Sequence, residues 1–315
     1  MASVIDRANE LAEAGDPAAA AGLLAESGDG DALFLLARWR LAGTNGPRDL
    51  AAARALFARA AKLGRRGAAQ IYAAFLGSGT GGERDWSGAL DLIAADPGAQ
   101  AEHGLIAQMA LDATGDPLVV PTGEPIAGHP IIRFPALFSV AECAWLVGAG
   151  KPRLAPAVVV DPVTARPIAN PVRTSGMASF PPALESPAVH ALNRRLAAAS
   201  GTMVAQGEPL QLLAYAPGQE YRAHVDAVPG TRNQRIMTML VWLNAAYDGG
   251  ATRFLDLGID LRGQPGDAIL FHNVDADGAP DMRMRHAGLP VTRGVKFLAS
   301  RWIRERAMTS WPPED

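Results

Sequence analysis

The hydrophobic positions of this chain change period along its length. Over the first ~110 residues Ala and Leu recur at helical spacing with charged residues between them, which predicts helices. Beyond about residue 130 the pattern becomes one of short apolar runs bounded by Gly/Pro turns: "LQLLAY" (210–215), "IMTMLVWLN" (236–244), "DAILF" (267–271) and "VKFLASRW" (295–302). These runs predict β-strands, and helical stretches near 138–150 and 187–200 precede them. Strands and helices do not alternate regularly, so a sandwich or barrel is expected rather than a doubly wound sheet.

The helical part repeats itself. "GTNGPRDLAAARALF" (43–57) aligns with "GTGGERDWSGALDLI" (79–93). Gly43 meets Gly79, Gly46 meets Gly82, Asp49 meets Asp85, Ala53 meets Ala89 and Phe57 meets Ile93, each pair offset by 36. Such a period predicts stacked helix pairs. The glycines would close one helix, and the aspartate would cap the next. Residues 17–31 read as the tail of an earlier, degraded unit. The pattern resembles the Sel1-like (TPR-related) repeat family over residues 15–97. That resemblance implies a protein-binding array; the plainer role is to shield or dimerise the rest of the chain.

The stretch "GDPLVVPTGEPIAGHP" (115–130), with four prolines and three glycines, marks a linker. The expected organisation is a helical repeat domain over 1–112, a linker over 113–128, a β-rich domain over 129–307 and a tail over 308–315. The fold class is α+β. With 315 residues, two domains are the natural expectation. Hydrophobic residues at 49%, charged residues at 19% and a net charge of −3 describe an ordinary globular chain. No basic patch suggests nucleic acid. No apolar run is long enough for a membrane span, and the N-terminus does not read as a signal peptide. The one cysteine, Cys143, sits in an apolar setting and reads as a buried structural thiol. A cytoplasmic protein is expected.

The candidate chemistry begins at "YRAHVDAVPG" (221–230). Residues i and i+2 of a strand share a face, so His224 and Asp226 can reach one point. Two histidines and one carboxylate form the facial triad that binds non-haem Fe(II) and leaves three positions open. The second histidine is His272 or His286, and periodicity does not separate them. Lys296 lies on an apolar strand whose one face reads Lys296, Leu298, Ser300, Trp302. A lysine aimed into an apolar barrel is costly unless an anion meets it, and a dicarboxylate would supply one.

The blocks "PLQLLAYAPGQEYRAHVD", "RIMTMLVWLNAAYDGGATRF", "GDAILFHN" and "RHAGLPVTRGVKFLASRWI" resemble the prolyl 4-hydroxylase alpha-subunit-like family of Fe(II)/2-oxoglutarate-dependent dioxygenases. "FPALFSVAECAWLV" and "NPVRTSGMASF" match its leading helix and its R-T-S segment, so the resemblance runs from about 130 to 306. It implies a double-stranded β-helix (jelly-roll) domain behind the helical array. It implies His224, Asp226 and His286 as iron ligands, and Lys296 as partner of the distal carboxylate of 2-oxoglutarate. Tyr215 would hydrogen-bond that co-substrate, and Trp302 would wall the cavity. Thr252 falls in the G-G-x-T block, read as structural or as lining the site. His272 would be structural or an outer residue. Trp242 stands where the family often has Tyr, so its contact with the distal carboxylate departs from the pattern. Ala251 stands for a common Glu, and Phe297 for a frequent Trp.

The resemblance further implies Fe(II), 2-oxoglutarate and O2, with ascorbate as reductant. The substrate would be a prolyl or other residue of a protein or peptide, docked through the helical repeats. A free amino acid or small metabolite is the alternative substrate, and a non-catalytic adaptor the alternative role. The Asp/Gly-rich stretch 274–285 is expected to be a mobile loop or a lid.

Overall fold

In the computed structural model, residues 2–160, 167–169 and 172–308 are described. Past Met308 the expected tail lies outside the described residues, as do Asn170 and Pro171 of the R-T-S segment. The contacts divide the chain into two units, Met1–Asp116 with Pro182–Ala191, and Pro117–Pro181 with Leu192–Asp315. The stretch Pro182–Ala191, placed by sequence within 129–307, thus clusters with the helical unit. One reason is local: Glu102 accepts a hydrogen bond from the Ala188 N–H at 2.9 Å.

The first unit holds α1 (Val4–Glu13), α2 (Pro17–Glu26), α3 (Gly30–Ala42), α4 (Leu50–Lys62), α5 (Ala68–Ser78), α6 (Trp86–Ala95) and α7 (Gln100–Ile106). The boundaries follow the repeated residues. Gly43 and Gly79 close α3 and α5 in the left-handed conformation, which costs glycine nothing. Asp49 and Asp85 cap α4 and α6, accepting from the N–H groups of Ala52 and Gly88. The backbone repeats too: Asp49 N–H donates to Arg40 O at 2.8 Å, and Asp85 N–H donates to Leu76 O at 2.9 Å. Small alanines let the helices approach, and Phe34, Phe57 and Phe75 meet edge to face in the core.

The second unit is built on antiparallel strands. They run β1 (Glu124–Pro125), β2 (Ile131–Phe134), β3 (Ala155–Pro156), β4 (Val158–Val160), β5 (Pro167–Ala169), β6 (Gly176–Phe180), β7 (Leu210–Tyr215) and β8 (Tyr221–His224). They continue as β9 (Arg235–Trp242), β10 (Tyr247–Gly249), β11 (Thr252–Phe254), β12 (Ile259–Leu261), β13 (Ala268–His272), β14 (His286–Gly288), β15 (Val291–Gly294) and β16 (Lys296–Arg304). An eight-stranded sheet has the order β1-β2-β13-β9-β16-β7-β6-β3, and a four-stranded sheet has the order β12-β11-β14-β8. Residues of both sheets, among them Leu213, Leu240, Leu298, Phe254 and Phe271, share one apolar core, the sandwich of a jelly-roll.

Two helices brace the large sheet. α8 (Val140–Gly150) opens with a capping box made by Ser139 and Glu142. Glu142 also takes a two-pronged hydrogen bond from Arg195 on α9 (Pro187–Ser200), at 2.7 and 2.8 Å. On β16, alternate residues face opposite ways. Arg301 donates to the carbonyls of Asn193, Glu208 and Val204, while Lys296, Leu298, Ser300 and Trp302 face a cavity between the sheets. The stretch 274–285 carries an isolated bridge between Val274 and Pro280 and a 3-10 turn at Met282–Met284.

Candidate metal centre

His224 ends β8, and His286 begins β14 directly opposite it in the antiparallel register. Asp226 follows two residues after His224. One ligand atom from each of the three lies within 4.8 Å of the others. The Nε2 of His224 is 3.6 Å from Asp226 Oδ1, and the Nε2 of His286 is 3.7 Å from Oδ2. Both rings are oriented by the backbone. Nδ1 of His224 donates to the Arg222 carbonyl at 2.8 Å, and Nδ1 of His286 to the Met284 carbonyl at 2.9 Å. A carbonyl only accepts, so each Nδ1 carries a proton, and Nε2 is the nitrogen turned towards Asp226. Tyr221 stacks on His224 with ring centroids 3.5 Å apart.

The protonation states suit a cation. Burial pushes the Asp226 carboxyl up, but His286, His224 and the Thr238 hydroxyl together pull it well below the usual carboxylate range. Burial pushes His286 down, against the pull of Asp226. A charged carboxylate beside a neutral imidazole is the form that ligates. Two nitrogens, one oxygen and no thiol fit Fe(II) with positions left open.

A cavity of about 410 Å³, counted to its open mouth, joins this cluster to Lys296. Tyr215 and Lys296 are register partners on β7 and β16, and both are buried. Lys296 Nζ donates to the Gly250 carbonyl at 2.8 Å. Burial, and then the Arg262 charge, push the ammonium down to about 8. Burial pushes the Tyr215 phenol up to about 12, so it is a hydroxyl donor at neutral pH. Gly249 and Gly250 both take positive φ here. A side chain on Gly250 would meet Val291 at 2.9 Å and Lys296 at 3.3 Å, so the turn needs glycine.

Of the residues singled out by sequence, Thr252, Trp302, Tyr215 and Lys296 line this cavity with the triad. Trp242 is not among the lining residues. Its indole fills the space that Gly263 leaves without a side chain, and it belongs to the apolar core. The exposed His272 lies apart from the triad. The sequence reading missed Thr238 and Asn273, both buried beside Asp226. The signal for Thr238 was its lone hydroxyl in the apolar run 236–242. Arg173 and Tyr221 on the cavity wall were missed as well.

Fold and constellation together define a class: a double-stranded β-helix with two histidines and a carboxylate in its mouth. Residues 210–304 match the 2OG-Fe(II) oxygenase superfamily. Prolyl 4-hydroxylase 1 of Arabidopsis thaliana is 34% identical over 196 residues, 56% of this chain and 69% of that protein. Prolyl 4-hydroxylase subunit alpha-1 of Rattus norvegicus is 34% identical over 186 residues; they span 56% of this chain and only 34% of that subunit. Among solved structures, the viral collagen prolyl hydroxylase of Paramecium Bursaria Chlorella virus-1, in its 2OG complex, aligns with a TM-score of 0.46 and 25% identity. That alignment covers 56% of this chain and 97% of the viral one. A Pseudomonas putida prolyl-4-hydroxylase aligns at 0.42 and 20% identity, covering 57% and 95%. The chain belongs to the prolyl 4-hydroxylase-like family of 2OG-Fe(II) oxygenases.

Proposed function

We propose that this chain hydroxylates a prolyl residue of a protein or peptide, with His224, Asp226 and His286 holding Fe(II). The observation that carries the reading is the convergence of those three side chains on a cavity that Lys296 also lines. When bound, Fe(II) and 2-oxoglutarate supply the oxidising chemistry, in which O2 and the decarboxylation of the co-substrate yield succinate, carbon dioxide and a hydroxylated product. The protein's own part is placement. The backbone carbonyls of Arg222 and Met284 keep both imidazoles in the ligating tautomer. The Lys296 ammonium offers the distal carboxylate of 2-oxoglutarate a charge in a buried setting, where the attraction is least screened. The Tyr215 hydroxyl from the large sheet and the Thr252 hydroxyl from the small one line the same cavity and can donate to the remaining oxygens. Leu213, Leu240, Leu298 and Trp302 keep the cavity apolar and limit side reactions with water.

The prolyl substrate rests on the two relatives named prolyl 4-hydroxylase. The 36-residue repetition of helix pairs supports reading the first unit as a Sel1-like array that docks a protein substrate. The one cysteine is a buried free thiol, which suits a reducing, cytoplasmic setting.

The test is an anaerobic titration of the apo protein with Fe(II) and then 2-oxoglutarate, followed by the weak visible charge-transfer band of a chelated keto acid. The band is expected in the wild type and absent in His224→Ala. Iron uptake without the band would sink the co-substrate assignment; no uptake would sink the metal reading. With the band in hand, proline-containing peptides are assayed by mass for one added oxygen atom.

A further inference from the structure

Asp226 Oδ2 accepts a hydrogen bond from the Thr238 hydroxyl at 2.7 Å, and Thr238 Oγ1 lies 2.9 Å from Asn273 Nδ2. All three side chains are buried. A hydroxyl has one proton, and a carboxylate can only accept, so that proton points at Asp226. Asn273 must then offer its amide N–H to the threonine oxygen. Its Oδ1, 3.1 Å from the same oxygen, cannot take the proton as well. The relay therefore runs one way, from Asn273 through Thr238 to Asp226.

The backbone holds Asn273 in place. Its N–H donates to Ile236 O at 2.8 Å, and its carbonyl accepts from the Asp281 N–H at 2.9 Å. Asp281 caps the 3-10 turn whose last residue, Met284, receives the His286 Nδ1 proton. The stretch 273–285 thus bears on two members of the triad: the Asn273 side chain reaches Asp226 through Thr238, and the Met284 carbonyl orients His286.

We propose that Thr238 and Asn273 are metal-positioning residues, which engage one oxygen of Asp226 and leave the other as a single-atom ligand beside His224 and His286. This rests on the triad reading above. Three one-atom ligands leave three positions open, and a carboxylate free to chelate through both oxygens would close one of them. Outer partners of this kind typically matter 10–100-fold for metal affinity or activity.

The experiment titrates the full chain with Co(II), reading its affinity by chelator competition and its coordination by the visible absorption band. Thr238→Val is expected to weaken Co(II) by about 10-fold or more and to change the band. Thr238→Ser keeps the hydroxyl and is expected within about threefold of wild type. Asn273→Ala, which lets the threonine hydroxyl turn away, is expected to weaken Co(II) by a smaller factor. Thermal unfolding checks that each variant folds, and if Thr238→Val does not, Asn273→Ala and Thr238→Ser decide. Wild-type affinity and band in the folded valine and alanine variants would overturn the proposal. So would a serine variant as impaired as the valine one, since that pattern reports packing. A wild-type protein that took up no more Co(II) than His224→Ala would instead overturn the triad reading on which the relay depends.

Discussion

His224 and His286 are register partners across β8 and β14, their ring centroids 4.3 Å apart. The ladder between two short strands brings them together. His272 ends β13 with an exposed side chain. His286→Ala is therefore expected to abolish Fe(II) uptake. His272→Ala should leave it unchanged and alter stability by less than about 0.5 kcal/mol. Anaerobic equilibrium dialysis with Fe(II) checks both variants, and an intact His286→Ala site would remove that residue from the triad.

Lys296 carries a pH dependence whose sign can be worked out. Its ammonium is pushed down to about 8, chiefly by burial, from an ordinary value of 10.5. Between those values the unfolded chain holds a proton that the folded chain has released, so the folded state gains stability as pH rises through that window. Co-substrate capture runs the other way, because the neutral amine no longer attracts a carboxylate. The kcat/KM for 2-oxoglutarate is expected to fall above about pH 8 in the wild type. Lys296→Met should show a much lower kcat/KM without that fall, with Co(II) affinity nearly intact. An unchanged requirement for 2-oxoglutarate in the variant would remove Lys296 from its role.

Glu208 is a buried anion held between the buried Arg304 and the half-buried Arg235. Its Oε1 accepts from Arg235 at 2.6 Å and from Arg304 at 2.7 Å, and its Oε2 from Arg235 at 2.9 Å. The Arg235 guanidinium in turn covers the Trp302 ring on the cavity wall at 3.7 Å. Glu208→Ala leaves these guanidiniums without their carboxylate, and is expected to cost about 3–5 kcal/mol in urea unfolding. A loss below about 1 kcal/mol would mean that water or other carbonyls replace the carboxylate with little penalty.

Asp49 and Asp85 perform the same task one repeat apart. Each caps a helix and donates its own N–H to a carbonyl of the helix before. Asp49→Ala and Asp85→Ala are each expected to destabilise the helical unit by about 1 kcal/mol. Thermal unfolding of the full chain, followed by helical circular dichroism, measures the two losses. A large inequality would show that the two repeats are not equivalent in context.

What the sequence determined on its own was whatever depends on local spacing. The helix pairs were legible because glycine ends helices and aspartate begins them, at an offset of 36 that needs no knowledge of packing. The inward face of β16 was legible because strand side chains alternate, so Lys296, Leu298, Ser300 and Trp302 had to point one way. His224 and Asp226 could be paired for the same reason. Periodicity left His286 and His272 open, because it is silent about which strands become neighbours; the family resemblance implied His286, and the pairing of β14 with β8 sets that residue opposite His224. Only the tertiary structure brought Thr238 and Asn273 to Asp226, through the register of β9 with β13, where His272 faces Met237. It packed the Trp242 indole into the apolar core, where Gly263 leaves it space. Local pattern sets the direction in which a side chain points. Long-range strand pairing and the fit of volumes decide what it meets there.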